Sequence, residues 1–160
     1  MAGGIFLGIG LGGFFDGIVF HQILQWHHMI SHVHAHPTTT VAGLEDNTLA
    51  DGLFHAAVWI VTVVGLFLLW AALRDSNGTL STRVFVGSLL LGWGLFNVVE
   101  GIVDHHLLQL HHVKEDSNHR LALDLAFLAW GAAMVGIGWF LTRTGEDETR
   151  ASAGPVVNRS

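Results

Sequence analysis

The sequence predicts an all-α fold, a four-helix transmembrane bundle built from two parallel two-helix repeats. Three observations carry this prediction. Hydrophobic residues make up 51% and charged residues 12% of the 160-residue chain, and mean hydropathy is +0.50. An ordinary soluble domain carries about 25% charged residues. Four apolar stretches, residues 5–24, 53–73, 84–103 and 121–141, each approach the roughly 20 residues a helix needs to cross hydrocarbon. Residues 16–29, DGIVFHQILQWHHM, return 84 positions later as residues 100–113, EGIVDHHLLQLHHV.

Span 1 has no basic leader and no small-residue cleavage site, so it reads as a retained helix and not a signal peptide. Its glycines Gly4, Gly8 and Gly12 recur every four residues, which predicts a helix face packed closely on another helix. Span 2 opens just after Asp51, with His55 one helical turn further on. Span 3 repeats span 1, since Gly8, Gly10 and Leu11 also match Gly92, Gly94 and Leu95. Span 4 then repeats span 2. The copies lie two spans apart, in spans 1 and 3, so they run in the same direction, related by a pseudo-twofold axis along the membrane normal. Residues 142–160 are polar and read as a disordered tail. Period-2 alternation is missing, so a transmembrane barrel is not expected.

Basic residues orient the bundle. Arg74, Arg83, Arg143, Arg150 and Arg159 fall on one side, Lys114 and Arg120 on the other. The positive-inside rule puts both termini in the cytoplasm of a multi-pass cell-membrane protein. Only seven Lys and Arg are present, which excludes a basic nucleic-acid surface. The absence of Cys excludes disulfides, Cys–zinc sites, iron–sulfur clusters and thiol nucleophiles.

The 12 histidines all fall at the extracytoplasmic end of this topology. On a regular α-helix, residues seven apart lie within about 20° of each other. His21 and His28 then share a face, and their copies His105 and His112 do the same. These four are the expected ligands of a transition-metal centre, with His55 and Asp51 contributed by span 2. Asp16 and Glu100 are expected inside the bundle, as further ligands, as partners fixing imidazole tautomers, or as proton-transfer groups. Asp16 and His27 also align on a helix, but His27, His106 and His111 point elsewhere than the primary set. Asp124 lies at a depth comparable to Asp51. Imidazole with carboxylate suits copper(II), zinc or iron, and leaves the choice among Cu, Zn and Fe open. The loop His32, His34, His36 reads either as a metal-collecting loop or as a polar extension of the first helix.

The segments GLGGFFDGIVFHQILQWHHM, DGLFHA and NVVEGIVDHHLLQLHHV resemble a family of small prokaryotic membrane proteins classed as a domain of unknown function. The resemblance runs from Gly8 to Leu141. It implies four spans, and a neighbourhood with an assembly factor for cytochrome c oxidase, hence respiratory-oxidase assembly partners; it transfers no catalytic residue. Three functions follow from the residues. The first is a metal-binding membrane protein, either a metalloenzyme or a metal-handling accessory. The second is an electron carrier with haem b held between His21 and His105. The third is a proton or ion pathway through Asp16, Glu100, Asp104 and the histidines, which the apolar cytoplasmic half disfavours. A homo-oligomer is left open.

Overall fold

A computed structural model of the chain describes residues 1–75 and 81–153, and among these every regular element is helical. Helix α1 covers Ala2–Phe15 and continues without a break into a π-helical segment, Asp16–Ile23. Helix α2 covers Val41–Asp75. Helix α3, Thr82–Glu100, likewise continues into a π-helical segment, Gly101–Leu107. Helix α4 covers Arg120–Ala153. Four helical spans are long and apolar enough to cross a membrane: Ala2–Ile23, Val41–Asp75, Thr82–Leu107 and Arg120–Glu148.

α1 and α3 form the central pair; α2 packs on α1 and α4 on α3, and the backbones of α2 and α4 do not approach each other. Small residues make the central contact close. Gly4 meets Ser88 and Phe85, Gly8 meets Leu89 and Trp93, and Gly12 meets Trp93 and Phe96. Gly92 meets the Ile5 main chain in return. A Cβ at Gly8 or at Gly92 would overlap a carbonyl oxygen of the facing helix. Gly10 and Gly94 serve the outer contacts, Gly10 against Thr62 of α2 and Gly94 against Gly131 and Val135 of α4. Glycine is therefore used where backbones pack, as membrane helices without a hydrophobic driving force require.

The outward surface is apolar. Trp59, Ile60, Phe67 and Trp70 on α2 and Trp130, Trp139 and Phe140 on α4 are all exposed. Such a surface is solvated by lipid tails, and the protein is a multi-pass membrane protein.

α4 is longer than the apolar stretch that announces it. The sequence reading ends span 4 at Leu141 and expects disorder from residue 142, whereas the helix continues to Ala153. Thr142 is buried, its hydroxyl donating to the Gly138 carbonyl at 2.7 Å, and Glu148 pairs with Arg83 of α3. Tertiary contacts hold a polar segment that composition alone assigns to disorder. Residues 154–160, the rest of that tail, lie outside the described residues.

Candidate metal centre

Both π segments begin at the acid-Gly-Ile-Val motif, the first at Asp16 itself and the second at Gly101, one residue after Glu100. Their last turns widen in the same way. Leu24 N–H donates to the Val19 carbonyl and Leu108 N–H to that of Val103, both at 2.8 Å. Trp26 N–H then reaches the Phe20 carbonyl and Leu110 N–H that of Asp104, both at 2.9 Å. Gln25 and Gln109 adopt left-handed backbone, with φ of 49° and 50°. This conformation is uncommon outside glycine and costs on the order of 1–3 kcal/mol. π-Helical turns and strained backbone of this kind cluster at functional sites.

The kink redirects the chain. On a straight α-helix His21 and His27 would sit about 240° apart. After the break at Gln25 their rings meet edge to face at 4.5 Å. The second half does the same with His105 and His111, at 4.9 Å. His27 and His111 stack on each other, centroids 4.4 Å apart and planes 8° from parallel.

Each of these two rings is fixed by the opposite half. His27 Nδ1 lies 2.9 Å from the Val113 carbonyl, and His111 Nδ1 lies 3.1 Å from the Met29 carbonyl. A carbonyl only accepts, so both rings carry a proton on Nδ1, and the neutral tautomer consistent with that contact has its lone pair on Nε2. Burial, with His27 and His105 alongside, also holds the His111 imidazole well below its ordinary pKa, so it is neutral at physiological pH.

The Nε2 atoms point at two carboxylates. Asp16 Oδ2 is 3.0 Å from His21 Nε2 and 4.0 Å from His27 Nε2. Glu100 Oε1 is 3.4 Å from His111 Nε2 and 3.9 Å from His105 Nε2. All six residues are buried, exposed by 5% or less. Asp16 Oδ2 and His21 Nε2 face each other at 3.0 Å without hydrogen-bond geometry, and Glu100 Oε2, His27 Nε2 and both ring nitrogens of His105 have no hydrogen-bond partner within the protein. Buried polar atoms are nearly always paired, so this concentration marks an atom set built to face something else. Three overlapping groups bring their donor atoms within 4.8 Å of one another: His21, His27 and His111; Glu100, His105 and His111; and Asp16, His27 and Glu100.

A second layer holds this one. Asp51 Oδ1 accepts from His21 Nδ1 at 2.8 Å and from Met29 N–H at 2.8 Å, while its Oδ2 accepts from His28 Nδ1 at 2.6 Å. Asp124 has the same contacts in the other half. Its Oδ1 accepts from Val113 N–H at 3.0 Å and lies 3.7 Å from His105 Nδ1, and its Oδ2 accepts from His112 Nδ1 at 2.7 Å. The ion-pair partners of all four buried carboxylates, Asp16, Asp51, Glu100 and Asp124, are imidazoles.

The sequence-predicted residues thus divide. His21 and His105 lie in the converging set, with Asp16 and Glu100. His28 and His112 turn outward onto Asp51 and Asp124, which themselves sit behind His21 and His105. His55 donates to the carbonyl of Asp51, and its Nε2 approaches Gly17. Seven-residue spacing on a regular α-helix leaves out His27 and His111, because the segment is π-helical and then broken at Gln25 and Gln109. The available signal was duplication: both members of each His-His pair recur in the second copy. The outer-loop histidines do not converge. His32 pairs with Glu115, His36 with Asp46, and His34 is exposed.

A family model described as a predicted membrane protein matches residues 3–145. No curated protein and no solved structure matches the chain.

Proposed function

The chain belongs to the DUF2243 family of predicted membrane proteins, and we propose that it holds transition-metal ions at the centre between its two halves. One observation carries the reading: three buried imidazoles, His21, His27 and His111, are held through Nδ1 by a carboxylate or carbonyl behind them, His105 Nδ1 lies 3.7 Å from Asp124, and the Nε2 atoms of all four converge on two carboxylates. This is how metal-ligating histidines are oriented and their tautomers fixed. Sequence equivalence pairs Asp16, His21 and His27 with Glu100, His105 and His111; the second set is itself one of the converging groups, and the other two groups join the halves through His27. Two imidazoles and a carboxylate bind zinc or non-haem iron with coordination positions left open. We assign one ion to each set.

Charge supports the same assignment. Four carboxylates buried at one level of a membrane bundle, paired with no Lys or Arg, are costly unless cations neutralise them. Two divalent ions supply that charge. The all-nitrogen-and-oxygen donor set argues against copper(I), which prefers sulfur. Haem is disfavoured because the imidazoles touch one another at 4.4–5.7 Å, leaving no slot for a porphyrin plane between them. The basic residues orient the centre toward the extracytoplasmic side, with both termini in the cytoplasm.

Cobalt(II) loading of tag-free protein tests the reading. Visible ligand-field bands are expected, without sulfur charge-transfer bands in the near ultraviolet, and both His27→Ala and His105→Ala should alter them. A Soret band in the protein as purified, or cobalt bands indifferent to both substitutions, would overturn it.

A further inference from the structure

The two halves differ at the centre by one methylene. Asp16 and Glu100 are equivalent, 84 residues apart, and the second half carries the longer acid. The two acids also differ in reach. Asp16 converges with His27, an imidazole of its own half, and with Glu100. Glu100 converges with His105 and His111 of its own half and, in a second group, with His27 and Asp16 of the other.

His27, His111 and Glu100 each belong to two of the three converging groups. Donor count decides which of them can serve two ions. His27 Nδ1 and His111 Nδ1 are held by the Val113 and Met29 carbonyls, so each ring keeps one free nitrogen and binds one ion. A carboxylate has two oxygens. Glu100 Oε1 lies 3.4 Å from His111 Nε2 and 3.9 Å from His105 Nε2, while Oε2 is buried with no hydrogen-bond partner within the protein.

We propose, on the reading that two ions occupy the centre, that Glu100 bridges them with one oxygen to each, forming a single dinuclear site that takes a ligand of two or three atoms on the second-half ion. Ions in such pairs stand about 3.5–4 Å apart. The first ion then has Asp16, His21, His27 and Glu100 as protein donors, and the second has His105, His111 and Glu100. An ion with four protein donors is closed, whereas one with three keeps a position for water or substrate. The donors around that position are exposed by 5% or less, which admits a few atoms and not an organic substrate. One bridging acid suffices, which accounts for the shorter Asp at the equivalent place.

Electron paramagnetic resonance of tag-free protein loaded with cobalt(II) is the test, because a carboxylate bridge couples the two spins and lowers their signal. The unaltered chain should hold two ions yet give less signal than the Glu100→Ala, His105→Ala double variant, which keeps one. Glu100→Asp, too short to span the ions, should hold two and give the summed signal of independent ions. Titration of the unaltered chain reads the same coupling without substitution: signal per bound cobalt should fall as the second ion enters. Azide should shift the visible bands of the loaded unaltered chain, and benzoate should not. Two ions with the full independent signal in the unaltered chain would overturn the proposal. So would coupling that survives Glu100→Asp, bands indifferent to azide, or an equal response to benzoate. A chain that takes up no cobalt fails the metal reading itself, and the bridge with it.

Discussion

His27 lies flat on His111, and each ring is anchored to the main chain of the opposite half, His27 to Val113 and His111 to Met29. The two halves are therefore locked at their point of contact by the same side chains that present Nε2 to the centre. Substitution here acts on both the assembly of the halves and the proposed ligation, whereas substitution in the layer behind separates these effects.

Asp51 provides that separation. It orients His21 and His28 and accepts from the Met29 N–H without facing the converging Nε2 atoms. Asp51→Asn should lower metal affinity about 10- to 100-fold, as loss of a supporting carboxylate does elsewhere. Competitive titration against a chelator measures it. Asp124→Asn should match it in direction, and to a smaller extent, because His105 Nδ1 stands 3.7 Å from Asp124 against 2.8 Å for His21 and Asp51.

The pH dependence has a defined sign. Burial lowers the His111 pKa in the folded chain, while the unfolded chain keeps about 6.5. Above that value His111 is neutral in both states and contributes nothing. As pH falls below about 6.5 the unfolded state takes up a proton that the folded state refuses, so stability drops by up to about 1.4 kcal/mol per pH unit. Unfolding of metal-free protein should thus show the stability of wild type relative to His111→Asn declining from pH 7 to pH 5. A rising difference would contradict the burial of a neutral ring.

The central helix pair tolerates little added volume. Gly8→Leu or Gly92→Leu places a side chain against a carbonyl oxygen of the facing helix and should destabilise the fold by about 1–3 kcal/mol or more. Gly52→Leu serves as the control, since a Cβ there meets nothing within 4 Å. Thermal unfolding in detergent distinguishes them.

Topology is checked by cysteine labelling. The chain has no native Cys, so single replacements report cleanly. Cys at Thr39 and at Asn118, both exposed beside the centre, should react with an impermeant reagent outside intact cells, and Cys at Thr82 should not. The reverse pattern would put the histidines on the cytoplasmic side.

The four spans were legible because length and hydropathy dominate what a bilayer accepts, and the Gly4, Gly8, Gly12 face was legible because its period matches the helix. Asp16 and Glu100 could be placed inside from cost alone. The choice between His27 and His28 could not be made, since it depends on one left-handed glutamine and a widened turn that no apolar period announces. Asp124 gave no motif either, because its 73-residue separation from Asp51 differs from the 84 of the histidine copies. The polar part of α4 meets α3 at Thr142, Gly145 and Glu148, contacts that composition does not carry.

The most direct measurement is the metal-to-chain ratio of tag-free protein after loading and removal of loosely bound ions. About two ions per chain are expected in the unaltered protein, falling to about one when Glu100 and His105 are both replaced by Ala, and to none when Asp16 and His21 are also lost. Retention of the full ratio in that fourfold variant, confirmed as folded, would show that the histidines and carboxylates at the centre hold no metal.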